Sequence, residues 1–145
     1  MGKTCSFFGH ANLRGETKEI EPQLRRIMIE LIEKGVDTFY VGNHGDFDLL
    51  SARIACELKE IYPHIHAIVV LCYPSELHYV RCSFTDFLMP AEIETVPKRV
   101  CIIRRNYWVV DHSDYIISGV RYQVSRLFGV IQYAQRQQKR IISLF

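Results

Sequence analysis

The sequence predicts an α/β fold in which helices cover both faces of a mainly parallel sheet of about five strands. Five short apolar runs recur along the chain, at residues 4–8, 38–42, 67–73, 115–120 and 140–145. Segments between them carry apolar residues at helical spacing. Alternation of strands and helices is typical of parallel sheets, because each crossover helix returns the chain to the edge where the next strand begins.

The first strand, 4–8, is followed by a polar connection and a helix. Apolar residues of this helix recur at i, i+3 and i+4 over 20–32. Pro22 is expected in the first turn, where the missing N–H costs nothing, and so it helps to place the helix start. Gly35 is expected just after the helix C-terminus.

The second strand, 38–41, is rich in β-branched and aromatic residues. We expect the helix after it to use Asp46 as its N-cap and to continue to about Ile61. The next run, 67–73, is apolar without alternation, which is typical of a strand buried on both faces.

The second half of the chain begins with an irregular excursion over 74–97, where at most one short helix is expected. A helix over 98–113 precedes the strand at 115–120. A further helix over 124–138 precedes the last strand, at 140–145.

Length and composition are those of an ordinary globular domain. The chain has 145 residues, of which 48% are hydrophobic and 23% charged. One core suffices for this length, so we expect a single domain over 1–145. The net charge of +2 is mild, and nucleic acid is therefore not expected as a partner on charge alone.

The cysteines indicate a reducing compartment. There are five, an odd number, and none has C-x-x-C spacing. They are expected to be reduced thiols, and no metal-ligand spacing or cofactor motif is present. No signal peptide or membrane span is evident, so we expect a cytoplasmic protein with no membrane partner.

The segment 38–48 is the strongest candidate for a ligand site. It combines a strand, a glycine-bracketed turn and a helix start, with Gly42 and Gly45 on either side of Asn43 and His44. Free N–H groups and the positive end of a helix dipole favour an anion at such a turn. A tight structural turn would also explain the two glycines, but not the density of polar side chains around them.

Two other stretches are expected beside this turn. Gly9 and His10 end the first strand, so they should reach the same sheet edge, with Asn12 close by. In the helix over 98–113, the Arg105 guanidinium could bind a phosphate and the Asn106 amide could bind a ribose, beside Trp108, the single tryptophan. The predicted ligand-binding set is Gly9, His10, Asn12, Gly42, Asn43, His44, Gly45, Asp46, Arg105, Asn106 and Trp108.

Three sequence blocks resemble the YpsA-like proteins of the SLOG superfamily. The blocks are Thr4–His10 (TCSFFGH), Phe39–Asp48 (FYVGNHGDFD) and the Pro97–Arg99, Arg105–Trp108 and Ser113–Asp114 group. They resemble, in order, the T-C-x-F-T-G-H-R opening, the F-Y-x-G-x-x-G-x-F-D block and the P-x-R with R-N-x-x-(M/W)…S-D block. This superfamily includes the lysine-decarboxylase-like Lonely guy enzymes and DprA.

The resemblance implies a Rossmann-like fold and a nucleotide-related ligand. Two positions depart from the family pattern: Ala11 replaces an arginine, and residues 125–127 replace a Gly-Gly-Ala turn thought to cradle a phosphate or ribose. The phosphoribohydrolase motif Pro-Gly-Gly-x-Gly-Thr-x-x-Glu is absent, so that activity is not carried over.

Three functions stay open. The first is a non-catalytic binder of a nucleotide or an ADP-ribose-like molecule, acting as a sensor or sequestering protein. The second is an enzyme that cleaves or transfers at an N-glycosidic bond, with His10, Asp46 and Asp111 as catalytic candidates. In this hypothesis Asp46, Asp48 or Asp111 stabilises an oxocarbenium-like centre, and His10 or His44 supplies acid–base help. The third is a protein-interaction module that uses the aromatic residues of 73–87, and a homo-oligomer is compatible with each.

Overall fold

The computed structural model describes residues 2–121 and 126–145, with the side chain of Arg126 left out. In this part of the chain, six strands form one sheet in the order β4-β3-β2-β1-β5-β6, and each neighbouring pair is parallel. The strands are β1 Lys3–Gly9, β2 Val36–Val41, β3 His66–Val70, β4 Asp86–Leu88, β5 Tyr115–Gly119 and β6 Arg140–Ser143. The helices are α1 Thr17–Glu33, α2 Asp46–Lys59, α3 Lys98–Asp111 and α4 Arg126–Arg136.

The parallel α/β architecture predicted from the apolar runs is confirmed. The prediction of about five strands misses β4, which pairs with β3 through Val69 opposite Phe87. Strand β4 has only three residues, all exposed, so no apolar run marks it. The same irregular stretch holds two short 3₁₀ helices, at Pro74–Tyr79 and Ala91–Ile93, where at most one was expected.

Two expectations about helix starts are wrong. Pro22 lies inside α1, which begins five residues earlier at Thr17, rather than in its first turn. Asp46 is the first residue of α2 rather than its N-cap, and Gly45 takes the capping position with φ of 107°. The start expected near residue 124 for the last helix, and part of the 125–127 turn, lie outside the described residues.

The core is divided by the sheet into two layers. Phe7 and Ile117 point to the side covered by α1 and α2, whereas Phe8 and Ile116 point to the side covered by α3 and α4. This alternation follows from the pleat, which sends successive side chains to opposite faces. Since both faces are covered, the central strands β1 and β5 carry buried side chains on both sides of the sheet.

Three features of the structure bear on cysteines, membrane spans and metal ligands. All five cysteines are free thiols. Among the described residues no helix is long and apolar enough to span a bilayer, and no group of three or more metal-ligating side chains converges.

Candidate functional site

A cavity of about 770 Å³ opens at the carboxyl edge of the sheet, on the side covered by α3 and α4. Its walls come from the ends of β1, β2 and β3, the N-terminal part of α2 and the facing sides of α3 and α4. Ligands of open α/β sheets bind at this edge, and this volume lies within the range of about 300–1,000 Å³ for small-molecule sites. The charged, histidine, asparagine and glycine positions of its lining are Gly9, Gly42, His44, Asp48, Arg99, Arg105, Asn106 and Gly129.

Asp48 fills the space beneath the glycine turn. Its Oδ2 accepts a hydrogen bond from the His44 N–H at 3.0 Å. A Cβ built on Gly42 would lie 2.5 Å from the same oxygen, so only glycine leaves room for the carboxylate. The N–H groups that we expected to hold an external anion are therefore directed in part to a carboxylate of the protein itself.

The environment of Asp48 changes its acidity. The carboxyl keeps some access to solvent at the cavity, but protein surrounds most of it. This burial raises the pKa of Asp48 to about 6, and the His44 N–H and the charges of Arg105 and His44 oppose the rise. Asp48 therefore changes charge just below neutral pH.

Arg105, Glu76, His44 and Asp48 form a cluster that we call the polar cluster. Arg105 Nη1 lies 3.5 Å from Glu76 Oε1 and 3.3 Å from His44 Nε2. Glu76 Oε2 also accepts from the Cys72 N–H at 3.0 Å. Burial acts to raise the pKa of Glu76, but the contacts with His44, the Cys72 N–H and Arg105 outweigh it and hold the pKa below its usual range.

Five residues of the predicted ligand-binding set line the cavity: Gly9, Gly42, His44, Arg105 and Asn106. Arg105 is 8% exposed, and its guanidinium is already engaged by Glu76, His44 and the Asn106 Oδ1 at 3.4 Å. It is therefore not the open phosphate fork that the sequence suggested. Gly9 serves packing as well, because a Cβ there would lie 2.3 Å from the Phe47 ring.

His10 and Asn12 belong to a neighbouring small recess, which also includes Arg121 and Phe145. His10 Nε2 accepts from the Arg121 N–H at 2.7 Å. Burial, followed by the charges of Arg121 and Arg14, lowers the pKa of His10, so the ring is a neutral acceptor at neutral pH. Asn12 Oδ1 accepts from the Arg14 N–H and shapes the loop after β1.

The remaining turn residues tie loops together. Asn43 donates to the Tyr79 carbonyl at 3.0 Å and accepts from the Arg81 N–H at 2.6 Å, which fastens the excursion to the turn. Asp46 Oδ2 accepts from the Leu13 N–H at 3.0 Å, while its own N–H donates to the Ala11 carbonyl. These partners hold the loop after β1 against the start of α2, and Gly45 makes the close approach to Ala11 possible.

Trp108 and Asp111 do not line the cavity. Trp108 Nε1 donates to Glu92 at 2.5 Å, and its ring stacks on His112 with centroids 3.9 Å apart. Asp111 is the last residue of α3, at the amino edge of the sheet, and accepts from the Tyr133 hydroxyl at 2.7 Å. Since α3 runs antiparallel to the strands, its C-terminus lies at the edge away from the turn at 42–46.

The predicted ligand-binding set omits several residues that shape the site, among them Glu76, Arg99, Ile102 and Ile103. Glu76 stands in the irregular excursion, and nothing local indicates that it will reach Arg105. Ile102 and Ile103 line the cavity although they are 48% and 53% exposed. Two adjacent isoleucines directly before the Arg104-Arg105-Asn106 run of α3 were an available signal of an apolar binding face.

Two solved structures share this fold at low sequence identity. DNA processing protein A (DprA) from Streptococcus pneumoniae matches with a TM-score of 0.66 and 13% identity over 98% of this chain and 50% of its own. DprA from Helicobacter pylori matches with a TM-score of 0.66 and 20% identity over 97% of this chain and 64% of its own. The fold is that of DprA. It is also the Rossmann-like fold that the sequence resemblance implied.

The remaining comparisons give no match, and the structural matches cover only part of each DprA chain. No family model matches the chain, and no curated protein matches it. The chain spans half of the S. pneumoniae protein and less than two-thirds of the H. pylori protein.

The expectation that nucleic acid is not a partner is wrong as drawn. It rested on the mild net charge alone. The H. pylori DprA, which has this fold over 97% of the chain, binds single-stranded DNA. A fold of this kind is therefore compatible with a nucleic-acid partner, and net charge does not exclude one.

Proposed function

We propose that this protein binds a nucleotide in the carboxyl-edge cavity. The observation that carries the proposal is the cavity itself: about 770 Å³, at the ends of parallel strands, with an apolar lining and a few polar groups. Such a combination is characteristic of small-molecule sites, since the apolar surface supplies affinity and the polar groups supply orientation.

Different residues of the cavity lining suit the base and the phosphate of a nucleotide. Ile102 and Ile103 offer exposed apolar surface for the flat face of a base. Arg99 stands one turn earlier on the same helix and forms no ion pair with the described residues, so its charge is available to a phosphate. Arg105 is committed to Glu76, which leaves Arg99 as the cation that meets the phosphate.

The proposal extends to relationship and role. The DprA-like fold agrees with membership of the SLOG superfamily, and the three sequence blocks favour its YpsA-like branch. A cytoplasmic sensor or sequestering protein fits this picture best, with binding and no turnover. The positions expected to act in catalysis support this role, because His10, Asp46 and Asp111 are each engaged by other parts of the protein.

Calorimetric titration with AMP, GMP, CMP and UMP tests the proposal. We expect micromolar dissociation constants for at least one of them, and a loss of about tenfold in Arg99→Gln. Arg26→Gln is the matched control, because Arg26 is an exposed arginine on α1, on the opposite side of the sheet. No heat and no thermal stabilisation with any mononucleotide at millimolar concentration would refute the proposal.

Single-stranded DNA is the second candidate, favoured by the DNA-binding mode of the H. pylori protein. A strand would place one nucleotide in the cavity and its neighbours along the carboxyl edge. Fluorescence anisotropy with a labelled oligodeoxythymidine separates the candidates. Binding of the oligonucleotide that tightens with length and falls with salt would favour the strand over the mononucleotide.

A further inference from the structure

Asp48 is the carboxylate that faces the cavity. Its Oδ2 receives the His44 N–H, and this is the one hydrogen bond to the carboxylate within residues 2–121 and 126–145. A carboxylate can accept about four hydrogen bonds. The group therefore retains acceptor capacity at a surface that lines the cavity.

The charge around Asp48 disfavours a phosphate at this point. The polar cluster holds two carboxyl groups, Asp48 and Glu76, against the single guanidinium of Arg105, which Glu76 already neutralises. A phosphate placed beside Asp48 would meet net repulsion. A neutral group that donates hydrogen bonds would instead be attracted, and in a nucleotide such groups are the sugar hydroxyls and the amino groups of the base.

The apolar and basic parts of the lining already account for the two ends of a nucleotide. If the base lies on Ile102 and Ile103 and the phosphate meets Arg99, the middle of the molecule remains for Asp48. The middle is the sugar. A ribose carries two adjacent hydroxyl donors, and a carboxylate can accept both, whereas a 2′-deoxyribose offers one of them.

We infer that Asp48 binds the 2′,3′-diol of a ribose in the carboxyl-edge cavity, so that the protein selects ribonucleotides over deoxyribonucleotides. The inference rests on the proposed nucleotide site and adds its sugar specificity. Gly42 contributes to this ribose site, because a side chain at position 42 would displace the Asp48 carboxylate. His44 fixes one carboxylate oxygen through its N–H and leaves the other for the ligand.

Calorimetric titration of the protein with AMP and with 2′-deoxy-AMP at pH 8 tests the inference. The two ligands share base and phosphate, and the Asp48 carboxyl is ionised at this pH. We expect AMP to bind at least tenfold more tightly, the usual worth of a hydrogen bond to a charged group. In Asp48→Asn the AMP affinity should fall to within threefold of the 2′-deoxy-AMP affinity in the same variant. The 2′-deoxy-AMP affinity should fall less than the AMP affinity, because this ligand offers the carboxylate only its 3′-hydroxyl.

Asp86→Asn, at an exposed aspartate of β4, is the matched control and should keep the full preference. Thermal denaturation of each variant verifies folding. Equal affinity of the unchanged protein for AMP and 2′-deoxy-AMP would overturn the inference while leaving the nucleotide site intact. Loss of both ligands in a folded Asp48→Asn variant would assign the carboxylate to the base and overturn it too. Absence of binding by both ligands would overturn the inference, and the proposed function falls with it if GMP, CMP and UMP also fail to bind.

Discussion

Arg105 Nη1 lies 3.5 Å from Glu76 Oε1, and this contact joins α3 to the segment that follows β3. Both side chains are nearly buried, with exposed fractions of 9% for Arg105 and 7% for Glu76. A charge in such a place is tolerated because its partner and further hydrogen bonds compensate for lost hydration. The pair therefore holds one wall of the cavity in place.

Glu76→Gln should lower the free energy of unfolding by about 3 kcal/mol, because it removes the carboxylate that is paired with the buried Arg105 guanidinium. Urea denaturation measures the change. The control is Glu57→Gln, in the solvent-accessible network with Arg25 and Arg53, for which a loss under about 1 kcal/mol is expected. Equal effects of the two substitutions would contradict a structural role for the Arg105–Glu76 pair.

Asp48→Asn should stabilise the protein near neutral pH. The folded state raises the pKa of Asp48 from 3.8 to about 6, so it binds a proton more tightly than the unfolded chain does. The contribution of this group to stability is therefore full below about pH 4 and is lost as the pH rises through 6. At pH 7.5 the variant should be more stable by roughly 1–3 kcal/mol, and the gain should vanish at pH 4.

Urea denaturation of Asp48→Asn and of the unchanged protein at the two pH values provides the measurement. Asp86→Asn should show no such pH-dependent gain. A variant that is less stable than the unchanged protein at pH 7.5 would mean that the ionised carboxylate stabilises the turn at Gly42. If removal of this carboxylate stabilises the protein, Asp48 is retained at a cost in stability, which agrees with a role in ligand binding.

Gly9→Ala should destabilise the fold by about 1–3 kcal/mol, because a Cβ at this position would lie 2.3 Å from the Phe47 ring. Gly129→Ala is the control. It is a helical glycine of α4 with open space around its Cβ position, and alanine there should stabilise by roughly 0.5–1 kcal/mol. Thermal denaturation gives both values, and a neutral Gly9→Ala would show that Phe47 moves aside at little cost.

Incubation with AMP should yield no free adenine above the spontaneous rate. The expectation follows from the engagement of His10 with Arg121 and of Asp46 with Leu13, which leaves neither group directed at a ligand. Chromatography of the mixture after several hours provides the measurement. Adenine that accumulates in proportion to protein concentration, and that is lost in Asp48→Asn, would establish an N-glycosidic hydrolase instead.

The sequence was sufficient for the architecture because local signals determine it. Strands covered on both faces are rich in apolar residues, so β1, β2, β3 and β5 were visible as apolar runs, and the Ile141-Ile142 pair marked β6. Strand β4, at the other edge of the sheet, has three exposed residues and therefore left no such run. The carboxyl-edge location also followed from local order, since strand, turn and helix stand in one continuous segment at 38–48.

The detailed composition of the site depended on contacts between distant segments. Arg105 is not free to bind a phosphate because it is paired with Glu76, and the spacing of residues in the sequence does not predict that pairing. Asp46 and Asp48 were indistinguishable in the sequence, yet one is bonded to the loop after β1 and the other lines the cavity. Asp46 and Asp48 differ in the direction that each side chain takes in the first turn of α2. A pattern of residue types does not predict that direction.

The contact of Phe47 with Gly9 and Gly119 has a consequence for synthesis on the ribosome. A Cβ at either glycine would collide with this ring, so one side chain closes over the ends of both β1 and β5. Strand β1 lies between β2 and β5, and it lacks one neighbour until residue 119 has left the exit tunnel. Most of the 145 residues must therefore be translated before the centre of the sheet can be completed, and a nascent chain halted earlier exposes an unpaired strand.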